Sequence, residues 1–215
     1  MTPPVRSRPV RWARVAADRV PTKWFITAAT GVFLLATAAF GGLADAETPA
    51  TPSINAGETF SSSQLSMTVT DVVLLDSVDE FFIDLEPGQQ AVAVIAEVTN
   101  EWTEPQLAAA ESGAIRDVVS LELGGNEFGT EALLAIVRND DPQTSPMLQP
   151  GVSVPLAFIW AVPAGLAGGG DTATVGFFSQ SLHTGTVTAA GQWWTDPALA
   201  ATMAVTVAVG APWPA

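Results

Sequence analysis

Residues 24–44, WFITAATGVFLLATAAFGGLA, form a run of 21 residues without a charge. About 20 apolar residues in a helix cross the hydrocarbon core of a bilayer. The run also divides the chain electrically. Six of its eight basic residues (Arg6, Arg8, Arg11, Arg14, Arg19 and Lys23) precede the run, opposed only by Asp18, which gives residues 1–23 a charge of +5. Everything after Lys23 holds Arg116 and Arg138 against 21 acids, a charge of −19. Lys/Arg excess marks the cytoplasmic flank of a span. The expectation is a single transmembrane helix at 24–44, with a basic cytoplasmic segment at 1–23 and the bulk of the chain outside.

A cleaved signal peptide is the competing reading, because Ala44-Asp45-Ala46 has the small-x-small pattern of a cleavage site. The long basic leader and an apolar run longer than the usual h-region of roughly 7–15 residues favour the anchor. Both readings put the residues beyond Ala46 outside. Around Arg11–Val20 the leader can form a short basic amphipathic helix ended by Pro21. Topology alone already requires these charges.

The stretch 45–56 contains Glu47-Thr-Pro-Ala-Thr-Pro-Ser53 and reads as an extended extracytoplasmic linker. From Gly57 the dominant period is two. Leu65, Met67 and Val69 alternate with Ser66, Thr68 and Thr70. Further runs are Val92–Val98, Val119–Leu123, Leu156–Val162, Val175–Phe177 and Met203–Val209, with Ala132–Val137 as another candidate. Such alternation marks strands with one buried face. Glu86-Pro87-Gly88-Gln89 and Gln149-Pro150-Gly151-Val152 suit type II turns, and Gly124-Gly125-Asn126 suits a hairpin. Gly168–Asp171 reads as a flexible loop, and helix formers cluster only at Leu107–Ser112, enough for a turn or two. Seven or eight short strands without a long amphipathic helix point to an all-β sandwich over 57–210, followed by a tail at 211–215.

Two segments carry a family resemblance. Ala91–Gln106 reads AVAVIAEVTNEWTEPQ and Gln149–Gly165 reads QPGVSVPLAFIWAVPAG. The pair resembles the bacterial telokin-like, immunoglobulin-like extracytoplasmic domains of unknown function, including those of actinobacterial membrane-anchored proteins. In these domains a strand ends in Val-x-Asn and a later Pro-Gly turn leads into a strand ending in Val-Pro. The resemblance implies an immunoglobulin-like β-sandwich ectodomain with an adhesive, protective or complex-associated role. It brings no catalytic residues. The chain departs from the pattern after Asp171, where Phe177–Trp194 reads as an elaboration.

The residue inventory leaves few chemistries open. Cysteine is absent, so there is no disulfide, zinc–thiolate site or cysteine nucleophile. That absence fits a bacterial envelope protein, and one Lys, no Tyr and abundant Ala fit a GC-rich genome. His183 is the only histidine, and no Gly-x-Ser-x-Gly motif is present. Gly168–Gly170 lacks the lysine and helix of a phosphate loop. A charge of −19 repels nucleic acid. We therefore expect no catalytic, cofactor-binding or metal site.

Two alternatives stay open as binding readings. Asp76, Asp79, Glu80, Asp84 and Glu86 fall within eleven residues, and Asp140 and Asp141 form a pair; oxygen ligands of this kind suit calcium, although a solvated acidic loop is the plainer account. Trp102 and the tandem Trp193-Trp194 can serve as sugar platforms, and paired carboxylates keep a wall-directed hydrolase as a distant third. Alternation along a strand puts one of the tandem rings in the core. Arg116 and Arg138 are expected to be held by neighbouring carboxylates. The leading expectation is a non-enzymatic module that binds a membrane-protein or cell-wall partner.

Overall fold

The computed structural model describes residues 22–39, 50–75, 77–81, 83–111, 114–139, 145–185 and 191–210. It comprises two compact units, Met1–Pro49 and Ala50–Ala215. In the first, helix α1 spans Thr22–Ala39, 18 residues. At 1.5 Å per residue it is about 27 Å long. Thr27 and Thr37 return their hydroxyls to the carbonyls of Lys23 and Phe33 one turn back, which satisfies them within the helix. Of the expected span at 24–44, α1 holds 24–39, and 40–44 lie outside the described residues. Among the described residues no helix is long and apolar enough to cross a membrane. Residues 1–21 of the basic segment 1–23 and the tail at 211–215 also lie outside them, and Thr22 and Lys23 begin α1.

The second unit is a β-sandwich of twelve strands: β1 (Ser53–Ile54), β2 (Thr59–Ser61), β3 (Leu65–Leu75), β4 (Gln89–Asn100), β5 (Gln106–Leu107), β6 (Val119–Leu123), β7 (Asn126–Phe128), β8 (Leu133–Arg138), β9 (Met147–Leu148), β10 (Ser153–Pro163), β11 (Thr172–Gly185) and β12 (Gly191–Gly210). One layer has the order β3-β4-β10-β8 and the other β12-β11-β6-β7. Strand β12 joins them. Its residues up to Thr206 pair antiparallel with β11, and Val207–Gly210 then run parallel to Val72–Leu75 of β3. The same edge of β3 near its start is covered by β2, while β4 pairs along the other edge, and Thr70 is bulged out where the ladder to β4 shifts register.

The alternating apolar residues interdigitate between the layers. Met67, Val94, Phe158, Trp160, Val175 and Phe177 belong to one buried cluster drawn from both sheets. Phe60 of β2 stacks on Phe177 of β11 at 5.1 Å between ring centroids. Trp160 is fully buried and its indole N–H donates to the Gly129 carbonyl at 3.0 Å, so its one polar atom is satisfied.

Both Pro-Gly turns form as expected. Gln89 N donates to Glu86 O and Val152 N to Gln149 O, and Gly88 and Gly151 take φ of +88° and +69°, which a side chain disfavours. Gly124-Gly125 closes the two-residue hairpin between β6 and β7.

Four expectations need correction. The linker stretch 45–56 contains β1, whose Ser53 and Ile54 pair in parallel with Thr202 and Met203 of β12; a two-residue strand is too short to show alternation. The helical turns expected at Leu107–Ser112 are absent from the described part of that stretch, since Gln106–Leu107 pairs as β5 with Met147–Leu148 of β9. The last strand begins at Gly191 rather than Met203, because its first half carries tryptophans, proline and alanines with no period-two pattern.

The fourth correction concerns the acidic segment after β3. The layer β3-β4-β10-β8 is buried on both faces. On its outer face Val73, Ala93, Ile95, Val137 and Ile159 are covered by Val78 and Phe81, with Ile83 and Leu85 packed alongside. Residues 77–81 and 83–86 therefore form a lid whose Val78 and Phe81 turn inward while Asp79, Asp84 and Glu86 stay exposed. Its sequence signal was present: β4 and β10 are nearly continuous apolar runs, as strands covered on both sides are.

Candidate functional site

The site starts from the end of β4. Asn100 is fully buried, and its side chain is the hub of the following loop. Its amide donates to Glu104 O at 2.8 Å and Leu148 O at 3.0 Å. Its carbonyl oxygen accepts from Trp102 N at 3.0 Å and from the Gln106 side chain. Gln106 also donates to Gln64 O, and Gln64 donates to the Gln106 side chain and to Ala114 O at 3.0 Å. A buried amide network of this kind fixes geometry because breaking any member strands the others. Here it fixes the loop that carries Trp102. The two segments of the family resemblance meet here, since Gly151 N donates to the Asn100 carbonyl at 2.8 Å.

The second wall comes from the approach to β6. A single 3-10 turn, Arg116–Val118, precedes that strand. The Arg116 guanidinium donates to Glu111 O at 2.6 Å, to the Thr130 hydroxyl at 3.2 Å and to Asp117 at 3.3 Å. Among the described residues Asp117 is the acid that pairs with it. Arg116 and Asp117 keep 31% and 40% of their side chains exposed, so the pair presents both charges to solvent.

The third wall is the β11–β12 hairpin. Its ladder shifts register on β11 between Ser179 and Ser181, opposite Asp196, which has a φ of +54°. Bulges of this kind bend a strand and re-aim its side chains. Beyond it, Trp193 lies opposite His183 and stacks on it with centroids 6.3 Å apart, while His183 also bonds Asp196 at 2.9 Å. Trp194 meets Trp102 edge to face at 5.8 Å and 83°. Trp193 is 44% exposed and Trp194 is half-buried, so neither ring of the tandem is in the core, contrary to the expectation from alternation. Trp194 is covered by Trp102 of the β4–β6 connection and Trp193 by His183 of β11, rather than by the hydrophobic core.

Together Trp102, Ala114, Arg116, Asp117, Gln192, Trp193 and Trp194 line an open cleft of about 380 Å³. Small-molecule sites run from roughly 300 to 1,000 Å³. The Trp194 indole N–H, closed off from solvent, has no hydrogen-bond partner among the described residues. The cleft can stack planar or C–H faces against indole and hydrogen-bond a polar rim through Arg116, Asp117 and Gln192.

The other candidates are not brought together. Among the described residues no three acidic or histidine side chains gather to hold a metal ion. Asp76, Asp140 and Asp141 lie outside the described residues. Sequence reasoning missed Asn100, Gln106 and Gln64, because hydropathy patterns do not reveal buried amides. The Val-x-Asn ending was their one visible trace.

No protein-family profile matches the chain. No curated relative matches it either. Among solved structures it is similar to an uncharacterised β-sandwich protein of Clostridium difficile 630, at 11% identity over 75% of this chain and 99% of that one, with a TM-score of 0.40. It is also similar to a candidate lipoprotein of Bacillus subtilis subsp. subtilis str. 168, at 13% identity over 69% of this chain and 38% of that one, with a TM-score of 0.34. The β-sandwich assignment rests on the paired layers of this chain. These likenesses bear neither on a telokin-like type nor on the source organism.

Proposed function

We propose that this chain is a non-enzymatic binding module of a bacterial cell envelope, anchored in the membrane through residues 24–44, with 1–23 in the cytoplasm and the sandwich outside. The uncharged run and the +5/−19 division around it support the anchor and its orientation. The sheet orders β3-β4-β10-β8 and β12-β11-β6-β7 follow the A-B-E-D and G-F-C-C′ orders of immunoglobulin-like sandwiches, which supports the immunoglobulin-like reading. In that scheme the β4–β6 connection and the β11–β12 hairpin correspond to the B–C and F–G loops, two of the loops with which variable domains bind.

The observation that carries the binding role is the convergence of Trp102, Trp193 and Trp194 from these two connections on one cleft. Tryptophans gathered at an exposed site cost solubility and serve recognition. His183, the one histidine of the sequence, is exposed and bonds Asp196.

The test uses the full chain. Because it has no cysteine, Ser7→Cys and Glu127→Cys each give a unique label site. A membrane-impermeant thiol reagent on intact cells should label only Glu127→Cys; labelling only Ser7→Cys refutes the orientation. The wild-type chain, crosslinked in membranes, should retain an envelope component that a Trp102→Ala/Trp194→Ala variant releases. Equal retention by both refutes the cleft as the binding site.

A further inference from the structure

We infer that the ligand of the tryptophan cleft is an uncharged saccharide, bound through pyranose rings. The inference rests on the binding reading above and deepens it.

The cleft pairs two kinds of surface. Trp102 and Trp194 are nearly perpendicular, so their free faces form a corner, and Trp193 adds a ring held in place by stacking on His183. Between these rings lie a guanidinium, a carboxylate and the exposed amide of Gln192. A pyranose ring has the complementary two-sided chemistry. Its axial C–H bonds form an apolar face that packs on indole, and its equatorial hydroxyls form a rim that donates and accepts. Asp117 accepts from hydroxyls, Arg116 donates to them, and Gln192 does both. A purely apolar ligand would take these three polar groups out of water and offer them no hydrogen bond in return.

Charge narrows the class. Arg116 is matched by Asp117 at 3.3 Å, so the cleft offers no net charge to an ion. An acidic polymer would meet a domain of charge −19. A cation would find the Asp117 carboxylate already paired with Arg116, which leaves an aromatic cage without a free counter-charge. A neutral ring pays neither cost. The cleft is also open rather than enclosed, which admits the interior units of a chain as readily as its end.

The experiment titrates the full chain in detergent with cellohexaose, mannohexaose and chitohexaose, reading intrinsic tryptophan fluorescence and confirming by calorimetry. Tetramethylammonium and a hexauronate are the charged comparisons. The expected result is saturable binding of at least one neutral hexasaccharide. Trp193→Ala, which removes an exposed ring without touching the core, should weaken it by roughly tenfold, equivalent to about 1.4 kcal/mol. Gln192→Ala should weaken it by several fold, with unchanged unfolding for both variants. Undiminished affinity in both variants overturns the site. Tighter binding of tetramethylammonium or the hexauronate overturns the ligand class. If no neutral sugar binds while crosslinking still retains a tryptophan-dependent envelope component, the saccharide inference fails and the binding module stands. If neither occurs, both fail.

Discussion

Replacing Asn100 with alanine tests the clamp behind the cleft. The side chain makes four hydrogen bonds: to Glu104 O, Leu148 O, Trp102 N and Gln106. Three of the residues involved, Asn100, Gln106 and Leu148, are 0–2% exposed, so water cannot replace the lost partners without opening the loop. A hydrogen bond is worth roughly 1 kcal/mol net. Gln106 keeps its bond to Gln64 O, which softens one of the four. The expected loss is therefore about 3 kcal/mol. For a chain of this length that lowers Tm by about 6–12 °C. Urea unfolding of the full chain in detergent, followed by circular dichroism and tryptophan emission, measures it. Asn100→Asp is the informative control. It keeps an acceptor, loses both donors and buries a carboxylate with no cation in contact, so it should be at least as damaging. A loss below about 1 kcal/mol for Asn100→Ala, with an unchanged m-value, would refute the clamp.

Other perturbations probe other parts of the fold. Phe81→Ala should cost about 3 kcal/mol and increase binding of a hydrophobic dye, because Phe81 is 2% exposed and seals the outer face of β3-β4-β10-β8; a denaturation midpoint within error of the wild type would show that the lid is dispensable. Gly151→Ala should cost about 1–2 kcal/mol in the same assay, a purely conformational cost, since a Cβ there meets nothing within 4 Å while φ is +69°. The Glu58 carboxyl is held below its ordinary value, first by the Asn55 backbone N–H and then by the Asn55 side chain, against a small opposing desolvation. A lowered folded-state value means that the stabilisation is present above the unfolded-state value and is lost as pH falls through the folded one. Glu58→Gln should therefore flatten the acid limb of stability against pH, and identical limbs would count against the bond.

How much of this was legible depends on what each residue signals. Met67, Val94 and Phe177 announced strands because alternation is the direct consequence of the pleat. Pro87-Gly88 and Pro150-Gly151 announced turns because few residues accept those dihedrals. The second buried face is legible in the continuous apolar runs of β4 and β10, but its cover is not: nothing in the sequence marks Phe81 as the residue that packs over Ala91, Ala93 and Ala157. The three tryptophans were visible as residues, but not as neighbours. Their meeting depends on a register shift in β11–β12 and on a buried amide hub, both of which arise from long-range pairing.

Strand β12 has a consequence for when the molecule can become itself. It completes the edge of β11 with residues 191–206 and the edge of β3 with residues 207–210. A chain emerging from the ribosome carries two open sheets until residues 191–210 arrive, and neither sheet can be closed by what precedes them. Loop closure between β3 and β12 spans most of the domain, so this step bears a large entropic cost. The sandwich should thus behave as a latch, uncommitted while the chain is incomplete and cooperative once its final strand is in place. Truncation within 207–210 should release one sheet's edge while leaving the other's ladder intact.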